Sequence, residues 1–141
     1  MDAVMSAEDL EEFLAERFPQ AFHADAGYKI TSVTARTACV TLKYNPSMLR
    51  PGETVSGPTL MTLADVAMYV AVLAALGPVA LAVTTNLAIN FLRKPPAGRD
   101  LRSEARLLKV GKRLAVGEVT LYSEGITEPV AHVTSTYSIP G

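Results

Sequence analysis

The longest apolar run in the chain covers residues 60–76. Only three of its positions are polar, and these are Thr62, Asp65 and Tyr69. A helix that is apolar on every face is buried, so the run predicts a core helix over residues 58–76. A run of about 17 residues lies at the short end of a membrane span, and a lone carboxylate inside it would be costly in lipid. The pattern therefore favours the core helix of a globular domain over a membrane span.

Shorter patterns lie on either side of this helix. Leu10, Phe13 and Leu14 form an i, i+3, i+4 stripe, which predicts an amphipathic helix over about residues 7–17. Alternation of apolar and polar positions predicts six strands, which cover about residues 28–35, 40–44, 79–92, 101–110, 114–123 and 130–139. A six-stranded sheet needs its apolar face covered, and the core helix is the only element long enough to cover it. We therefore predict one α+β domain over residues 1–141.

Composition narrows the range of partners. The chain has 141 residues, of which 49% are hydrophobic, and its net charge is −1, so it is globular and has no global attraction to nucleic acid or to an anionic membrane. Its single cysteine, Cys39, excludes an intrachain disulfide and indicates a reducing compartment. The first residues lack the pattern of a signal peptide, so we expect a cytoplasmic location. Two histidines and one cysteine form no zinc-ligand spacing, and no metal or cofactor is expected.

Asp65 is the first candidate for chemistry. An unpaired carboxylate in an apolar helix costs several kcal/mol or takes up a proton. Such groups often serve as a general base or a nucleophile. The structural alternative is a carboxylate that accepts hydrogen bonds from backbone N–H groups, or one that pairs with a lysine across an interface.

The start of the same helix is the second candidate. The first N–H groups of a helix are unpaired, and Gly57 would let a ligand oxygen approach the backbone, as in an oxyanion site. An ordinary Ser-Gly-Pro helix start is the structural alternative. Gly57 and Asp65 are eight residues apart, about 12 Å along one helix, so one carbonyl group cannot contact both. If both act on one substrate, they come from two antiparallel helices of an obligatory dimer.

Two segments, in this order, resemble the PaaI-type acyl-CoA thioesterases, the phenylacetate-degradation type of the hotdog fold. Residues 50–65 read RPGETVSGPTLMTLAD, and residues 82–95 read AVTTNLAINFLRKP. The resemblance covers roughly residues 25–139. It implies a hotdog fold, hydrolysis of an acyl-CoA to free acid and coenzyme A without a cofactor, and a homodimer or homotetramer.

The resemblance also implies roles for individual residues. Asp65 would be the catalytic carboxylate, and the Gly57 N–H would polarise the thioester carbonyl. Thr84 matches a hydroxyl that steadies the attacking water in some members. Strand alternation predicts that Thr84 lies on the face opposite Val83 and Leu87, where it could point to a ligand, although threonine is also an ordinary strand residue.

Three positions depart from the family pattern. Ser56 replaces a histidine, Pro58 replaces a glycine, and Arg50 replaces an asparagine that contacts the thioester in many members. These departures leave open a non-catalytic acyl-CoA binding module. A hotdog dehydratase is a third hypothesis, but that chemistry usually needs a histidine, and neither His23 nor His132 is close to the helix in sequence.

The remaining candidates concern substrate binding. Arg93 and Lys94 follow the strand after the helix, and such cations could hold the phosphates of coenzyme A, or they could form a solvated loop. Tyr69 lies one turn after Asp65, where it could line the acyl pocket or pack in the core. The predicted substrate-binding residues are Arg50, Ser56, Pro58, Tyr69, Arg93 and Lys94.

Overall fold

The fold was obtained as a computed structural model that describes residues 2–22, 26–79 and 81–140, so His23 lies outside the described residues. The helices and strands of the main fold are α1 (Ala7–Arg17), β1 (Tyr28–Val33), β2 (Thr37–Leu42), α2 (Gly57–Leu76), β5 (Val83–Phe91), β6 (Leu101–Val110), β7 (Leu114–Ser123) and β8 (Ala131–Ser138). Between β2 and α2 the chain forms a 3-10 turn (Pro46–Met48) and two short strands, β3 (Leu49–Arg50) and β4 (Thr54–Val55).

The six long strands form one antiparallel sheet in the order β1-β2-β6-β7-β8-β5, and α2 packs against all six of them. The helix contributes the centre of the core, where Leu63, Val70 and Leu73 are fully buried. Inward residues of the strands alternate with outward ones, as in β8, where every second residue from Ala131 to Tyr137 is buried. A long central helix held by a six-stranded antiparallel sheet is the predicted hotdog architecture, which is confirmed.

Local signals explain where the two helices begin and end. Ser6 caps α1 in a reciprocal arrangement with Asp9, which satisfies two otherwise unpaired N–H groups. Ser56 caps α2, and its hydroxyl accepts from the N–H of Thr59 at 3.4 Å. Gly77 ends α2 with φ of 93°, a conformation that glycine adopts without steric cost. The helix therefore begins at Gly57, one residue earlier than predicted.

The strand after α2 differs from its prediction in a way that matters for the site. It starts at Val83 rather than at residue 79, and its pairing with β8 shifts register between Thr84 and Asn86. This bulge adds one residue to β5 and reverses the alternation of side chains across it. The prediction that Thr84 and Leu87 face opposite sides is therefore wrong, because both line the same cavity beside α2.

The helix α2 is also less enclosed than predicted. Met61 is 40% exposed, Thr62 is exposed, and Asp65 and Tyr69 are half-buried, so one stripe of the helix faces outward. The reason is that one sheet can cover only part of a helix surface. Although α2 is long and apolar enough to cross a membrane by length and composition, 67% of its most apolar window is buried in the fold.

Candidate active site

Two hydroxyl groups hold the carboxylate of Asp65. The Thr84 hydroxyl donates to Asp65 Oδ1 at 2.6 Å, and the Tyr137 hydroxyl donates to the same oxygen at 2.8 Å. No described residue donates to Oδ2. Within the described residues, the carboxylate is thus satisfied on one oxygen by neutral side-chain donors rather than by backbone N–H groups, and its other oxygen has no donor.

Tyr137 was missed by sequence reasoning. It lies on β8, 72 positions from Asp65 along the chain, and it is only 3% exposed. Burial raises the pKa of Tyr137 well above its ordinary value, and the negative charge of Asp65 raises it further. The strand pattern gave one signal that could have indicated this role: Tyr137 occupies an inward position of β8, and a buried tyrosine needs a hydrogen-bond partner for its hydroxyl.

A cavity of about 370 Å³ opens in front of Asp65. Its wall is largely apolar and includes Phe18, Met61, Tyr69 and Leu87. The Phe18 ring meets the Tyr69 ring edge-on, with 6.1 Å between their centroids. Burial raises the pKa of Tyr69, whose ring borders the cavity and also packs on Phe18. The cavity has the character of a pocket for an apolar group.

The start of α2 presents one free donor. Pro58 has no N–H, and the N–H of Thr59 is taken by the Ser56 hydroxyl. No described residue accepts from the N–H of Gly57, which leaves that group available to a ligand. A Cβ on Gly57 would lie 3.2 Å from the tip of the Phe91 ring, so the glycine leaves room for this ring.

A second cavity, of about 400 Å³, lies beside Gly57. Arg50, Arg93 and Lys94 line it together with Phe91, so the structure brings these predicted basic residues to one place. The Thr54 hydroxyl fixes this arrangement, because it donates to the Pro95 carbonyl at 2.8 Å. Ser56 acts here as a helix cap, and its predicted contact with substrate stays a prediction.

Among the described residues, none lines both cavities. Gly57 and Asp65 lie at different points of one helix, about 12 Å apart along its axis. One chain thus holds two separate cavities, an apolar one with Asp65 and a basic one with Gly57. His132 lines neither cavity, since it lies on the outer face of the sheet, 2.9 Å from Glu118.

Comparison with known proteins identifies the family. Residues 52–130 match the profile of the Thioesterase superfamily, and the match includes Gly57, Asp65 and Thr84. This chain belongs to the thioesterase superfamily. The structural neighbours of this thioesterase-superfamily chain agree with that assignment.

One such neighbour is a candidate thioesterase from Silicibacter sp. TM1040, which is 48% identical to this chain, with a TM-score of 0.90 over 100% of this chain and 96% of that one. The Escherichia coli PaaI protein of the phenylacetic acid degradation operon is 26% identical, with a TM-score of 0.76 over 94% of this chain and 96% of that one. Zebra fish thioesterase superfamily member 2 is 17% identical and shares the fold, with a TM-score of 0.83 over 96% of this chain and 99% of that one. A search of curated proteins found no significant match.

These neighbours confirm that this member of the thioesterase superfamily is a PaaI-type hotdog protein. Thioester hydrolysis requires a group that either attacks the thioester carbonyl carbon or activates a water molecule to attack it. It also requires a hydrogen-bond donor for the oxyanion that forms. Asp65 Oδ2 and the Gly57 N–H, neither of which has a partner among the described residues, are groups of these two kinds. Within the described residues no cluster of three or more His, Cys, Asp or Glu could hold a metal ion.

Proposed function

We propose that this chain hydrolyses acyl-CoA thioesters to a free acid and coenzyme A. Asp65 acts as general base or nucleophile, and the Gly57 N–H of a second copy polarises the thioester carbonyl. The observation that carries the proposal is the division of one chain into two incomplete parts, one with a free carboxylate oxygen and the other with a free helix-start donor.

A two-fold dimer would join these parts. The outward stripe of α2, with Met61 and Thr62 exposed, offers a surface for a second helix. In the described part of the chain, β5 pairs only with β8, and it exposes Val83 and Phe91, which are 56% and 54% accessible. Such a nine-residue edge strand tends to pair with another chain. An antiparallel arrangement would place Gly57 of one copy near Asp65 of the other, and a tetramer could form from two such dimers.

The proposed reaction uses Asp65 of one copy and Gly57 of the other. As a general base, Asp65 Oδ2 takes a proton from water while the water oxygen bonds to the thioester carbonyl carbon. The resulting oxyanion accepts a hydrogen bond from Gly57 of the other copy. The carbon–sulfur bond then breaks, and the leaving thiolate of coenzyme A takes back the proton from Asp65. As a nucleophile, Asp65 would instead bond to the carbonyl carbon and expel the coenzyme A thiolate, which leaves an acyl–aspartyl anhydride. Water then hydrolyses the anhydride to the free acid and the Asp65 carboxylate, and the proton that this releases goes to the thiolate.

Labelled water tests for the anhydride route. In a single turnover in H₂¹⁸O, a general base puts the label into the released acid and leaves Asp65 unlabelled. Detection of ¹⁸O in the peptide that contains Asp65 would show the anhydride route, with water opening the anhydride at the aspartyl carbon. Opening at the acyl carbon would label the acid, as the general-base route does.

The character of the two cavities supports the choice of substrate. Arg50, Arg93 and Lys94 could hold the phosphates of coenzyme A, and guanidinium groups suit bidentate phosphate binding. The aromatic wall near Tyr69 suits a medium-chain or aryl acyl group. Similarity to the PaaI protein of phenylacetic acid degradation favours an aryl group.

Thiol release from a panel of acyl-CoA substrates tests the proposal. We expect turnover on at least one aryl or medium-chain substrate, and a loss of about 10²–10⁴-fold in Asp65→Asn with nearly unchanged binding. Parental turnover in Asp65→Asn would show that Asp65 is only structural. Tight binding without turnover on any substrate would favour the acyl-CoA binding module that the departures at Arg50, Ser56 and Pro58 left open.

A further inference from the structure

The arrangement around Asp65 assigns a role to Tyr137, on the basis of the proposed function. We infer that Tyr137 is a positioning residue which, with Thr84, fixes the carboxylate through Oδ1 and presents only Oδ2 to the reacting atoms. Neither the family match nor the sequence pattern assigns any role to this tyrosine.

The hydrogen bonds of Tyr137 restrain Asp65 at two points. Its hydroxyl lies 2.8 Å from Asp65 Oδ1 and 3.1 Å from the backbone carbonyl oxygen of Asp65. One phenol has one proton, which is shared between these acceptors and favours the nearer one. The side chain and the backbone of Asp65 are thus tied to one fixed atom, which limits rotation of the carboxylate.

Thr84 supplies the second donor from the neighbouring strand. Thr84 and Tyr137 are directly paired across β5 and β8, so the sheet itself sets the distance between their hydroxyl groups. The only proton of the Thr84 hydroxyl is used for Asp65 Oδ1 at 2.6 Å. Toward an attacking water Thr84 can therefore only accept, which changes the role that the sequence suggested for it.

The surroundings of Tyr137 keep it in place as a neutral donor. Its ring stacks on Tyr69, with 6.0 Å between the centroids and 18° between the planes. Burial raises the pKa of Tyr137, so the phenol keeps its proton throughout the range in which enzymes work. A donor that is held in position before substrate binds needs no reorganisation during the reaction.

Tyr137→Phe tests this inference, with Tyr122→Phe as the matched control. Tyr122 lies on the neighbouring strand β7, where Arg102 stacks on its ring outside the site. We expect Tyr137→Phe to lower kcat by about 10- to 100-fold with little change in KM, because a small misplacement of a catalytic group has an effect of this size. Tyr122→Phe should behave like the parent.

A second measurement does not depend on activity. Denaturation midpoints of the parent, Tyr137→Phe, Asp65→Asn and the double variant form a cycle that measures the coupling of the two side chains. We expect the midpoint shifts of the single variants not to add in the double variant. Additive shifts, or a parental kcat in Tyr137→Phe, would overturn the inference. If Tyr137→Phe does not fold, Thr84→Val removes the other donor and is judged by the same readouts.

The outcomes also separate this inference from the proposed function. An inactive Asp65→Asn beside a fully active Tyr137→Phe would refute only the positioning role. Parental turnover in Asp65→Asn would refute the catalytic role of Asp65, and with it the positioning of a reacting oxygen.

Discussion

Mixing two inactive variants tests whether one active site uses two chains. Asp65→Asn removes the carboxylate from both sites of a homodimer. Gly57→Pro removes the helix-start donor from both sites, and proline is tolerated in the first helical turn. The backbone of Ser56, the preceding residue, is compatible with a proline at position 57, because its ψ of 152° is the extended conformation favoured before a proline.

The activity expected of the mixed dimers follows from which chain supplies each group of a site. Loss of one oxyanion donor costs about 10²–10³-fold in kcat, so each homodimer should be nearly inactive. In a mixed dimer both substitutions fall in one site, and the other site has an intact Asp65 and an intact Gly57. Random exchange of subunits makes about half of the dimers mixed, and each has one working site, so about a quarter of the parental activity should return.

The assay is thiol release after the variants are co-expressed with two different affinity tags. Dimers that carry both tags should show about half of the parental activity per dimer. Gly57→Ala is the control, because it keeps the N–H and adds a methyl group 3.2 Å from the tip of the Phe91 ring, which is 54% exposed. It should lose less activity than Gly57→Pro. Doubly tagged dimers without activity, or a monomeric parent that hydrolyses thioesters, would refute a site shared between chains.

Two further predictions concern stability. Gly117→Ala should lower the free energy of unfolding by about 1–3 kcal/mol in urea denaturation, because the added Cβ would lie 2.7 Å from Met68 Sδ and 2.9 Å from the Arg106 carbonyl oxygen. An unchanged denaturation midpoint would show that Met68 and the backbone of β6 can shift to accommodate the methyl group. Hydrogen bonds from Arg106 and His132 hold the pKa of Glu118 below its ordinary value of 4.5. The ionised Glu118 side chain therefore stabilises the fold above pH 4.5, and this stabilisation is lost as the pH falls through the lower pKa of the folded state. Glu118→Gln should therefore be less stable than the parent at pH 7, and the difference should shrink below about pH 4.5, as followed by denaturation at several pH values; a constant difference would contradict the ion-pair explanation.

Local pattern was enough to predict most of the framework. The helix over residues 7–17 and the strands over residues 101–110 and 114–123 have the predicted bounds, and α2 differs by one residue. Periodicity of 3.6 or 2 is a property of neighbouring positions, so it can be read without knowledge of the fold. The same local reasoning singled out Asp65, because a carboxylate in an apolar helix stands out from its neighbours. The strands β3 and β4 were missed, since two-residue strands have no period to detect.

Only the tertiary structure decided how the site is arranged around Asp65. The bulge in β5 turned Thr84 toward the helix, and an added residue in one strand is visible only in its pairing with another. Tyr137 reaches Asp65 from 72 positions away, a contact that depends on β8 lying beside β5 under the helix. The outward stripe of α2 arises because one sheet covers only part of a helix. By itself the sequence determined which residues carry reactive groups, whereas long-range packing determined which oxygen of Asp65 is held and which is left free.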